Sequence, residues 1–319
     1  MDWFQRLTGF SEQDYASTKR SLELIGERLH STVNLKSYSI GRLEVVSLAV
    51  LRERTREHLA GRIANTVVEV RGDIRQLHAA PENAGALFQV ASQFNLLEMV
   101  GPEITPEHGV TRYQFDHTQG PACAIAAGAA TIYRNYFAPV GNHSGQFGAR
   151  QINCLDDLGD ALGHGIQPLW RYRNGYILCF ADGLNRIRQH IAAADSAELD
   201  RFRGLLKVGI HWDVEVTDAP NSPGPLVSQV FCSALPVAYS DLDSELWAPF
   251  ARLILEAAYE ATLLAAVLNS HEPGGSNRVL LTHLGGGAFG NRHAWINAAI
   301  ERALEIVNAT GLEILHVSR

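Results

Sequence analysis

The fold class follows from residues 278–291, which run Arg278-Val279-Leu280-Leu281-Thr282-His283-Leu284-Gly285-Gly286-Gly287-Ala288-Phe289-Gly290-Asn291. The apolar start of this run predicts a short strand, residues 278–282, and the residues after it, 294–306, have the apolar spacing of a helix. A glycine-rich turn between a strand and a helix presents backbone amides that can bind an anion. We therefore predict an anion site late in the chain.

This loop also fits the dinucleotide pattern G-x-G-x-x-G at Gly285, Gly287 and Gly290. A Rossmann fingerprint, however, lies on the first strand-to-helix turn and needs several strands after it. Here only the helix and one strand, residues 312–317, follow the loop. A P-loop is excluded because no Lys-Ser or Lys-Thr follows the glycines. A backbone cradle for an anion at a late helix N-terminus remains.

A second loop lies far earlier, where the predicted strand 66–70 runs into Gly72-Asp73-Ile74. Together with the glycine loop, this feature indicates a pocket for a nucleotide diphosphate.

Composition narrows the class of protein. The chain has 319 residues, 46% of them apolar, which is enough for one large α/β core. Its formal net charge is −7 and its pI is near 6.0, so no basic surplus is available to bind a phosphate backbone. We therefore do not expect nucleic acid as a partner.

The cysteines and the apolar runs bear on localisation. Cysteines 123, 154, 179 and 232 show neither C-x-x-C pairing nor ligand spacing with histidine, so the sequence predicts a reduced protein without structural zinc. The first residues lack the basic-then-apolar order of a signal peptide, and no apolar run is long enough to cross a membrane. We expect a cytoplasmic protein with no membrane partner.

The periodicity predicts two parts. Residues 1–65 are expected to form a helical extension, with helices over 17–29 and 43–59, and residues 66–319 to form the core. Further strands of the core are predicted over 86–92, 208–216, 227–233 and 312–317, and helices over 120–134, 183–194, 199–206 and 246–268. The late β-α-β order predicts a three-layer α/β/α fold around a mixed, partly parallel sheet.

Three features together resemble the macrodomain superfamily, whose members bind ADP-ribose: Val70-Arg71-Gly72-Asp73-Ile74, a strand ending at Asn95, and the late glycine loop. Residues 91–99, 116–124 and 233–236 are similar to a divergent branch, the MavL-type ADP-ribosylarginine hydrolases, which are distantly related to poly(ADP-ribose) glycohydrolases. The resemblance covers residues 60–319 and implies a macrodomain-like sheet.

The resemblance implies a binding site. Asp73 would accept from the adenine amine, and the amides of the glycine loop would surround the diphosphate, where a side chain at Gly286 or Gly287 would obstruct the backbone. Phe289 would lie against a ribose or the adenine. No cofactor is required, since ADP-ribose is the ligand or product, and the partner is a mono-ADP-ribosylated protein. The implied ligand contacts are Gly72, Asp73, Ile74, Asn95, Thr118, Gln119, Gly120, Pro121, Ser233, Gly285, Gly286, Gly287, Ala288, Phe289, Gly290 and Asn291.

Two segments depart from the wider family. Ser92-Gln93-Phe94-Asn95 replaces the usual Asn-Ala-Ala-Asn motif, so only Asn95 carries over. The Gly-Gly-Gly and Gln-Glu-Glu signature of the glycohydrolase branch is replaced by Asp116-His117-Thr118-Gln119-Gly120-Pro121. Cleavage between ADP-ribose units is therefore not predicted.

Cleavage of the N-glycosidic bond of ADP-ribose needs a carboxylate near the anomeric carbon, where positive charge develops. Asp116 is the first candidate, and its alternative role is to cap the Ala-rich helix that follows. Glu98 and Asn95 are three residues apart, which would place both on one side of a helical turn around the ribose hydroxyls. The alternative for Glu98 is a solvated helix start.

Other polar residues carry weaker signals. Asp213 and Glu215 would share one face of a strand as a water-activating pair, or form the polar face of an edge strand. Asp156, Asp157 and Asp160 could hold a divalent ion, although they also match a helix start, and no metal is predicted. Structural roles are favoured for His117, His143, His211 and His283. Ser144 and Ser233 lack a nucleophile elbow, which excludes a serine hydrolase.

The sequence thus predicts a hydrolase that removes mono-ADP-ribose from protein side chains, with arginine the favoured acceptor, by attack of water on the anomeric carbon. Two alternatives remain open: a reader that binds ADP-ribose without turnover, and a hydrolase of a free nucleotide such as NAD or a phosphorylated ADP-ribose.

Overall fold

The apolar and β-branched runs of the chain form a central sheet and three small ones. The structure, a computed structural model, describes residues 1–318. In chain order its strands are β1 (Leu22–Ile25), β2 (Arg28–Ser31), β3 (Ser37–Ser39), β4 (Arg42–Ser47), β5 (Thr66–Arg71), β6 (Leu87–Ala91), β7 (Pro139–Val140), β8 (His143–Ser144), β9 (Trp170–Arg173), β10 (Tyr176–Cys179), β11 (Lys207–Glu215), β12 (Leu226–Cys232), β13 (Arg278–Leu281) and β14 (Glu313–Ser318).

Within the described residues, the central sheet has seven strands in the order β4-β11-β12-β6-β13-β14-β5. The five strands from β12 to β5 are mutually parallel, and β11 is antiparallel to both of its neighbours. The inner strands are buried on both faces, as their nearly continuous apolar sequences require. The parallel strands therefore turn their carboxyl ends toward a single edge of the sheet.

The helices lie on both faces of this sheet. In chain order they are α1 (Trp3–Thr8), α2 (Tyr15–Arg20), α3 (Leu48–Thr55), α4 (Ile74–Ala79), α5 (Gln119–Ala126), α6 (Gly128–Tyr136), α7 (Asp156–Ala161), α8 (Ala181–Ala193), α9 (Ser196–Leu205), α10 (Ser244–Asn269) and α11 (His293–Ile306). On one face α10 packs against α3, α8, α9 and α11, and on the other α5 packs against α4 and α6. The predicted three-layer α/β/α arrangement around a mixed sheet is confirmed.

The longest helix, α10, is buried on nearly all sides, because half of its residues are Ala or Leu and several of the others are also apolar. Asp243 caps its first turn by accepting from the amide of Glu245 at 2.9 Å. The helix contacts strands β6, β11, β12 and β13 as well as the other helices of its layer.

The N-terminal 65 residues differ from the predicted helical extension. Helix α2 ends at Arg20, and residues 22–39 form the antiparallel sheet β1-β2-β3 with a glycine turn at Gly26. The predicted helix 43–59 begins with strand β4, and α3 starts only at Leu48, where Ser47 accepts from the amide of Val50. Because β4 pairs with β11 over its whole length, part of the predicted extension belongs to the central sheet.

The predicted helix 120–134 is also divided. It forms α5 and α6, which are separated at Ala127, whose backbone leaves the helical region. A Cβ at Gly128, the first residue of α6, would lie 2.6 Å from Leu7 and 2.8 Å from Trp3. The division lets α6 pack closely against α1 and its apolar cluster.

Among the helices of residues 1–318, none is both long and apolar enough to cross a membrane.

Candidate active site

The carboxyl ends of the five parallel strands bring the predicted loops to one edge of the sheet. Ser233 follows β12, Ser92 follows β6, the glycine loop follows β13, and Gly72-Asp73 follows β5. Ligands of open α/β sheets bind at this edge, where neighbouring strands separate. The topology alone therefore brings together loops that lie far apart in sequence.

A cleft opens between β6 and β13 because these two strands separate toward their carboxyl ends. Their pairing stops at Leu280 and Phe88, whereas β12 stays paired with β6 up to Ala91. The Gln119 side chain takes the place of the missing ladder bonds, since its Oε1 accepts from the Ala91 amide at 2.9 Å and its Nε2 donates to the Gln89 carbonyl at 2.8 Å. The Gln119 side chain thus makes two hydrogen bonds within the fold, while the residue itself remains in the lining of the cleft.

This cleft has a volume of about 150 Å³. It brings together most of the residues predicted from the diphosphate loop and from segment 116–121, and both carboxylates proposed for catalysis. Its lining consists of Ala91, Ser92, Gln93, Glu98, Met99, Val100, Asp116, Thr118, Gln119, Gly120, Pro121, Tyr176, Ala234, Tyr239, Thr282, His283, Leu284, Gly285, Gly287, Ala288 and Phe289.

The N-terminus of α5 forms one wall of the cleft. Thr118 occupies the N-cap position, but its side chain makes no capping hydrogen bond, so first-turn amides of the helix are left for a ligand. At Gly120 a Cβ would lie only 1.9 Å from the Ala91 carbonyl oxygen and 3.2 Å from Cγ of Glu98. Glycine is therefore required at this position for α5 to approach the end of β6.

This close approach gives a stability prediction. Gly120→Ala should lower the free energy of unfolding by about 1–3 kcal/mol. The added methyl group would clash with the backbone carbonyl of Ala91, which cannot move aside as a flexible side chain could. Gly287→Ala is the matched control, since a Cβ at Gly287 would meet no atom within 4 Å. Urea unfolding of both variants provides the measurement, and equal stability of the two would contradict the required close approach.

The glycine loop forms the opposite wall, and its glycines have different orientations. Gly287 faces open space in the cleft, whereas a Cβ at Gly286 would point toward Ile296 at 3.1 Å. Gly285 has a positive φ of 73°, which lets the chain turn directly after the strand. Asn291 holds the end of the loop in place, because its side-chain Nδ2 donates to the Leu235 carbonyl at 2.8 Å. Gly286 and Asn291 therefore shape the loop from outside the cleft lining.

Glu98 is the buried carboxylate of the cleft, with a side chain only 1% exposed. Its Oε1 accepts from Nη2 of Arg134 at 3.4 Å, and among the described residues its Oε2 has no partner. Burial raises the pKa of Glu98 to about 7, against the opposing effect of the Arg134 charge. A carboxyl with this pKa can exchange a proton near neutral pH.

Asp116 is the half-buried carboxylate of the cleft. Its Oδ1 accepts from the Thr118 amide at 2.8 Å, a turn that fixes the side chain just ahead of α5. Asp116 is not the N-cap of this helix, because that position belongs to Thr118. The alternative capping role considered from sequence is therefore wrong, and Asp116 remains available to a ligand.

Asn95 does not lie in the cleft lining, and its predicted place on one helical turn with Glu98 is wrong. Residues 92–100 form no helix, and Leu96 has a positive φ of 64° that reverses the chain between the two residues. The Asn95 side chain is buried, donates to Gln151 at 2.8 Å and accepts from the Leu97 amide at 3.1 Å. Its role is to stabilise the loop that carries Glu98.

Asp73, Gly72 and Ile74 lie at the far end of the same edge, outside the lining of the cleft. Asp73 caps α4, since its Oδ1 accepts from the amides of Arg75 and Gln76, while Oδ2 has no protein partner among residues 1–318. The Ile74 side chain is buried in the core. Strand β5 lies three strand spacings from β6, or about 14 Å. An elongated ligand would be needed to reach both Asp73 and the cleft.

Two further predicted contacts lie beside the cleft rather than in it. The Ser233 hydroxyl donates to the carbonyl of the next residue at 2.9 Å, and Gly290 faces Ala238. Both residues help to shape the loops that follow β12 and β13.

The sequence predicted Phe289 as a contact but gave no indication of two further aromatic residues that line the cleft beside it, Tyr176 and Tyr239. Tyr176, Tyr239 and Phe289 form a triangle with ring centroids 5.5–5.6 Å apart. The Tyr176 hydroxyl donates to the Met99 carbonyl at 2.6 Å and so fixes the ring against the Glu98 loop. Tyr176 comes from the small β9-β10 hairpin, and no local pattern marks it. His283, for which a structural role was favoured, also lines the cleft.

The remaining candidates do not contribute to the cleft. A β-bulge and a positive φ at Asp213 break the expected alternation, so Asp213 is exposed while Glu215 is buried and accepts from the Ser39 amide. These two residues therefore do not form a water-activating pair. Asp156 and Asp157 begin helix α7, and Asp157 pairs with Lys207 at 2.8 Å. Over residues 1–318, no cluster of three or more His, Cys, Asp or Glu side chains has the geometry to hold a metal ion.

The other histidines considered from sequence lie outside the cleft lining. His211 is completely buried, which agrees with the structural role favoured for it, and His117 and His143 are exposed.

No protein-family model matches this sequence, and no curated protein matches it. Among solved structures, the chain is similar to poly(ADP-ribose) glycohydrolase from Deinococcus radiodurans in complex with ADP-ribose, with 12% identity and a TM-score of 0.47 over 87% of this chain and 88% of that chain. It is also similar to poly(ADP-ribose) glycohydrolase from Thermomonospora curvata bound to the inhibitor ADP-HPD, with 12% identity and a TM-score of 0.43 over 95% of this chain and 91% of that chain.

Proposed function

We propose that this protein is a hydrolase that removes single ADP-ribose units from the side chains of proteins, with arginine as the acceptor. One observation carries the proposal: two carboxylates of different environment, Asp116 and Glu98, line the same cleft as the N-terminus of α5 and the glycine loop. Pairs of carboxyl groups whose surroundings differ in this way supply the acid and the base of glycosidic-bond cleavage.

The binding mode follows from the walls of the cleft. The diphosphate would lie between the first-turn amides of α5 and the backbone around Gly287, because both present N–H groups to an anion. The adenine would extend toward the free Oδ2 of Asp73, along the strand edge. The distal ribose would then lie near Glu98 and Asp116. An ADP-ribose in an extended conformation would match the three strand spacings between β5, which leads to Asp73, and β6, which leads to the cleft.

The reaction needs two proton transfers. Asp116 would orient a water molecule and take up its proton as the oxygen attacks the anomeric carbon. The bond between this carbon and the guanidine nitrogen breaks, and Glu98 would donate its proton to that nitrogen. The products are ADP-ribose and an unmodified arginine side chain. At the end of the cycle, the proton on Asp116 returns to Glu98 through solvent.

Two features favour a cationic acceptor. Asp116 supplies a carboxylate at the cleft, and the faces of Tyr176, Tyr239 and Phe289 offer aromatic surface beside it. A guanidinium group binds well to aromatic faces and to carboxylates. Acceptors linked through serine or glutamate would lack this charge.

The decisive test is release of ADP-ribose, identified by mass spectrometry, from three matched proteins that carry a single unit on arginine, serine or glutamate. We expect release from the arginine-linked protein in preference to the other two. Release from the serine- or glutamate-linked protein instead would reject arginine as the acceptor. Calorimetric binding of ADP-ribose without release from any of the three would identify a reader and contradict the hydrolase.

A further inference from the structure

The carboxyl group of Glu98 is held by a completely buried arginine of helix α6. Arg134 is 0% exposed, and its guanidinium lies 3.8 Å from the ring centroid of Phe231. Its Nε donates to the Leu96 carbonyl at 3.1 Å, and its Nη2 donates to the Thr131 hydroxyl at 3.1 Å as well as to Glu98. These contacts come from separate segments of the fold, so the orientation of the guanidinium is tightly fixed.

The ion pair between Arg134 and Glu98 is incomplete on both sides. An arginine and a carboxylate that serve only to stabilise a core commonly form two parallel hydrogen bonds. Here one long bond of 3.4 Å joins Nη2 to Oε1, while Nη1 of Arg134 and Oε2 of Glu98 are buried without any partner in the described part of the chain. Buried polar atoms without partners are rare, and a catalytic role is one of the explanations for them. One oxygen of the Glu98 carboxyl therefore has no hydrogen-bond donor among the described residues.

We propose that Arg134 is a positioning residue, which directs the exchangeable proton of Glu98 to Oε2, the carboxyl oxygen that accepts no hydrogen bond from the described residues. A proton on Oε1 would face the Nη2 donor of Arg134, so protonation at that oxygen is disfavoured. The inference rests on the hydrolase function proposed above and assigns the acid of that reaction to one atom. In the reaction, the bond from Oε2 to its proton breaks as the guanidine nitrogen takes up the proton.

The surroundings of Glu98 also assign an electrostatic role to Arg134. The groups that face this carboxyl are Arg134 of α6, Tyr113, whose hydroxyl accepts from the Glu98 amide, and Cys123 of α5. Burial raises the pKa of Glu98, the charge of Arg134 and the Tyr113 hydroxyl lower it, and the result is about 7. Without Arg134, burial would keep the carboxyl protonated well above neutral pH. Arg134 thus allows Glu98 to lose and regain its proton in each cycle.

The test follows the protonation of Glu98 directly, by infrared titration of the free protein. The carbonyl band of a protonated carboxylic acid that is missing in Glu98→Gln reports this residue. In the wild type the band should disappear as the pH rises through about 7, the pKa that burial and Arg134 together give Glu98. In Arg134→Gln the midpoint should move up by about one pH unit or more, because the opposing charge is lost. An unchanged midpoint would overturn the proposal.

Arg134→Lys separates position from charge, and it decides the question if Arg134→Gln does not fold. Lysine keeps the charge, so the infrared midpoint should stay near that of the wild type. It cannot reproduce the three donors at their present positions, so kcat should fall about tenfold or more with KM little changed. A wild-type kcat in this variant would also overturn the positioning role. Absence of ADP-ribose release by the wild type would contradict the hydrolase function, while the infrared midpoints would still test Arg134.

The pH profile gives a second readout. Because Glu98 must be protonated to act as the acid, kcat should fall as the pH rises above its pKa of about 7. In Arg134→Gln this falling limb should move to higher pH together with the infrared midpoint. If the falling limb of the kcat profile moves while the infrared midpoint of Glu98 stays unchanged, a group other than Glu98 controls the rate.

Discussion

Asp116→Asn is expected to lower the rate of ADP-ribose release from an arginine-linked protein by about 10²–10⁴-fold, the usual contribution of a general base. Asparagine keeps an oxygen that can accept from the Thr118 amide, so the turn before α5 should persist. Its side chain cannot take up a proton from water. Single-turnover kinetics on the purified variant would measure the loss, and ADP-ribose affinity from calorimetry should change little.

The matched control for this prediction is Asp241→Asn, which makes the same chemical change at an exposed carboxylate near Tyr239 but outside the cleft lining. The control should retain the wild-type rate. Equal rates for Asp116→Asn and the wild type would exclude Asp116 as the base. Equal losses in Asp116→Asn and Asp241→Asn would indicate a general effect of surface charge.

Gly287→Glu is expected to lower ADP-ribose affinity by about 100-fold or more, which corresponds to about 2.8 kcal/mol. A Cβ at this position meets no atom within 4 Å, so the fold has room for the side chain. The side chain would extend into a cleft of about 150 Å³ and place a negative charge where the diphosphate is proposed to bind. Calorimetric titration with ADP-ribose provides the measurement, and an unchanged Kd would contradict the proposed diphosphate site.

Gly287→Gln separates the effect of volume from that of charge, because it has nearly the same size without the charge. Its affinity should fall between those of the wild type and Gly287→Glu. Gly286 is a poorer target for this test, although the sequence analysis treated the two glycines alike. A side chain there would press on Ile296 of α11, so a loss of binding would be mixed with a loss of stability.

Much of the fold was predictable because its signals are local. The strands and long helices of residues 181–318 have the expected positions, since α8, α10 and α11 carry clear apolar spacing and the apolar strands are buried. The N-terminal region was harder, because β4 and α3 form one continuous run of mixed residues in which Ser47 alone marks the change. The stability of β4 comes from its pairing with β11, which lies far along the chain.

Apart from Glu98, the candidate site was predictable only where a backbone motif marks it. The glycine loop and the turn Asp116-His117-Thr118-Gln119-Gly120-Pro121 carry their own chemical signatures, and both line the cleft. Tyr176 and Arg134 carry none, because an aromatic residue in a short strand and an arginine in a helix are ordinary. Arg134 matters because it contacts the Glu98 carboxyl, and Tyr176 matters because it packs against the rings of Tyr239 and Phe289.

The sequence by itself determined the layered α/β class, the glycine-rich loop between a strand and a helix and the presence of acidic candidates, because apolar periodicity and glycine placement act over a few residues. Only the tertiary structure decided which of the candidate residues lie in the same cleft. It turned Asn95 away from the cleft through the positive φ of Leu96, separated Asp213 from Glu215 by a bulge, and joined Glu98 to Arg134 in the core. The positions of these side chains depend on strand order and on burial, and no local sequence pattern contains that information.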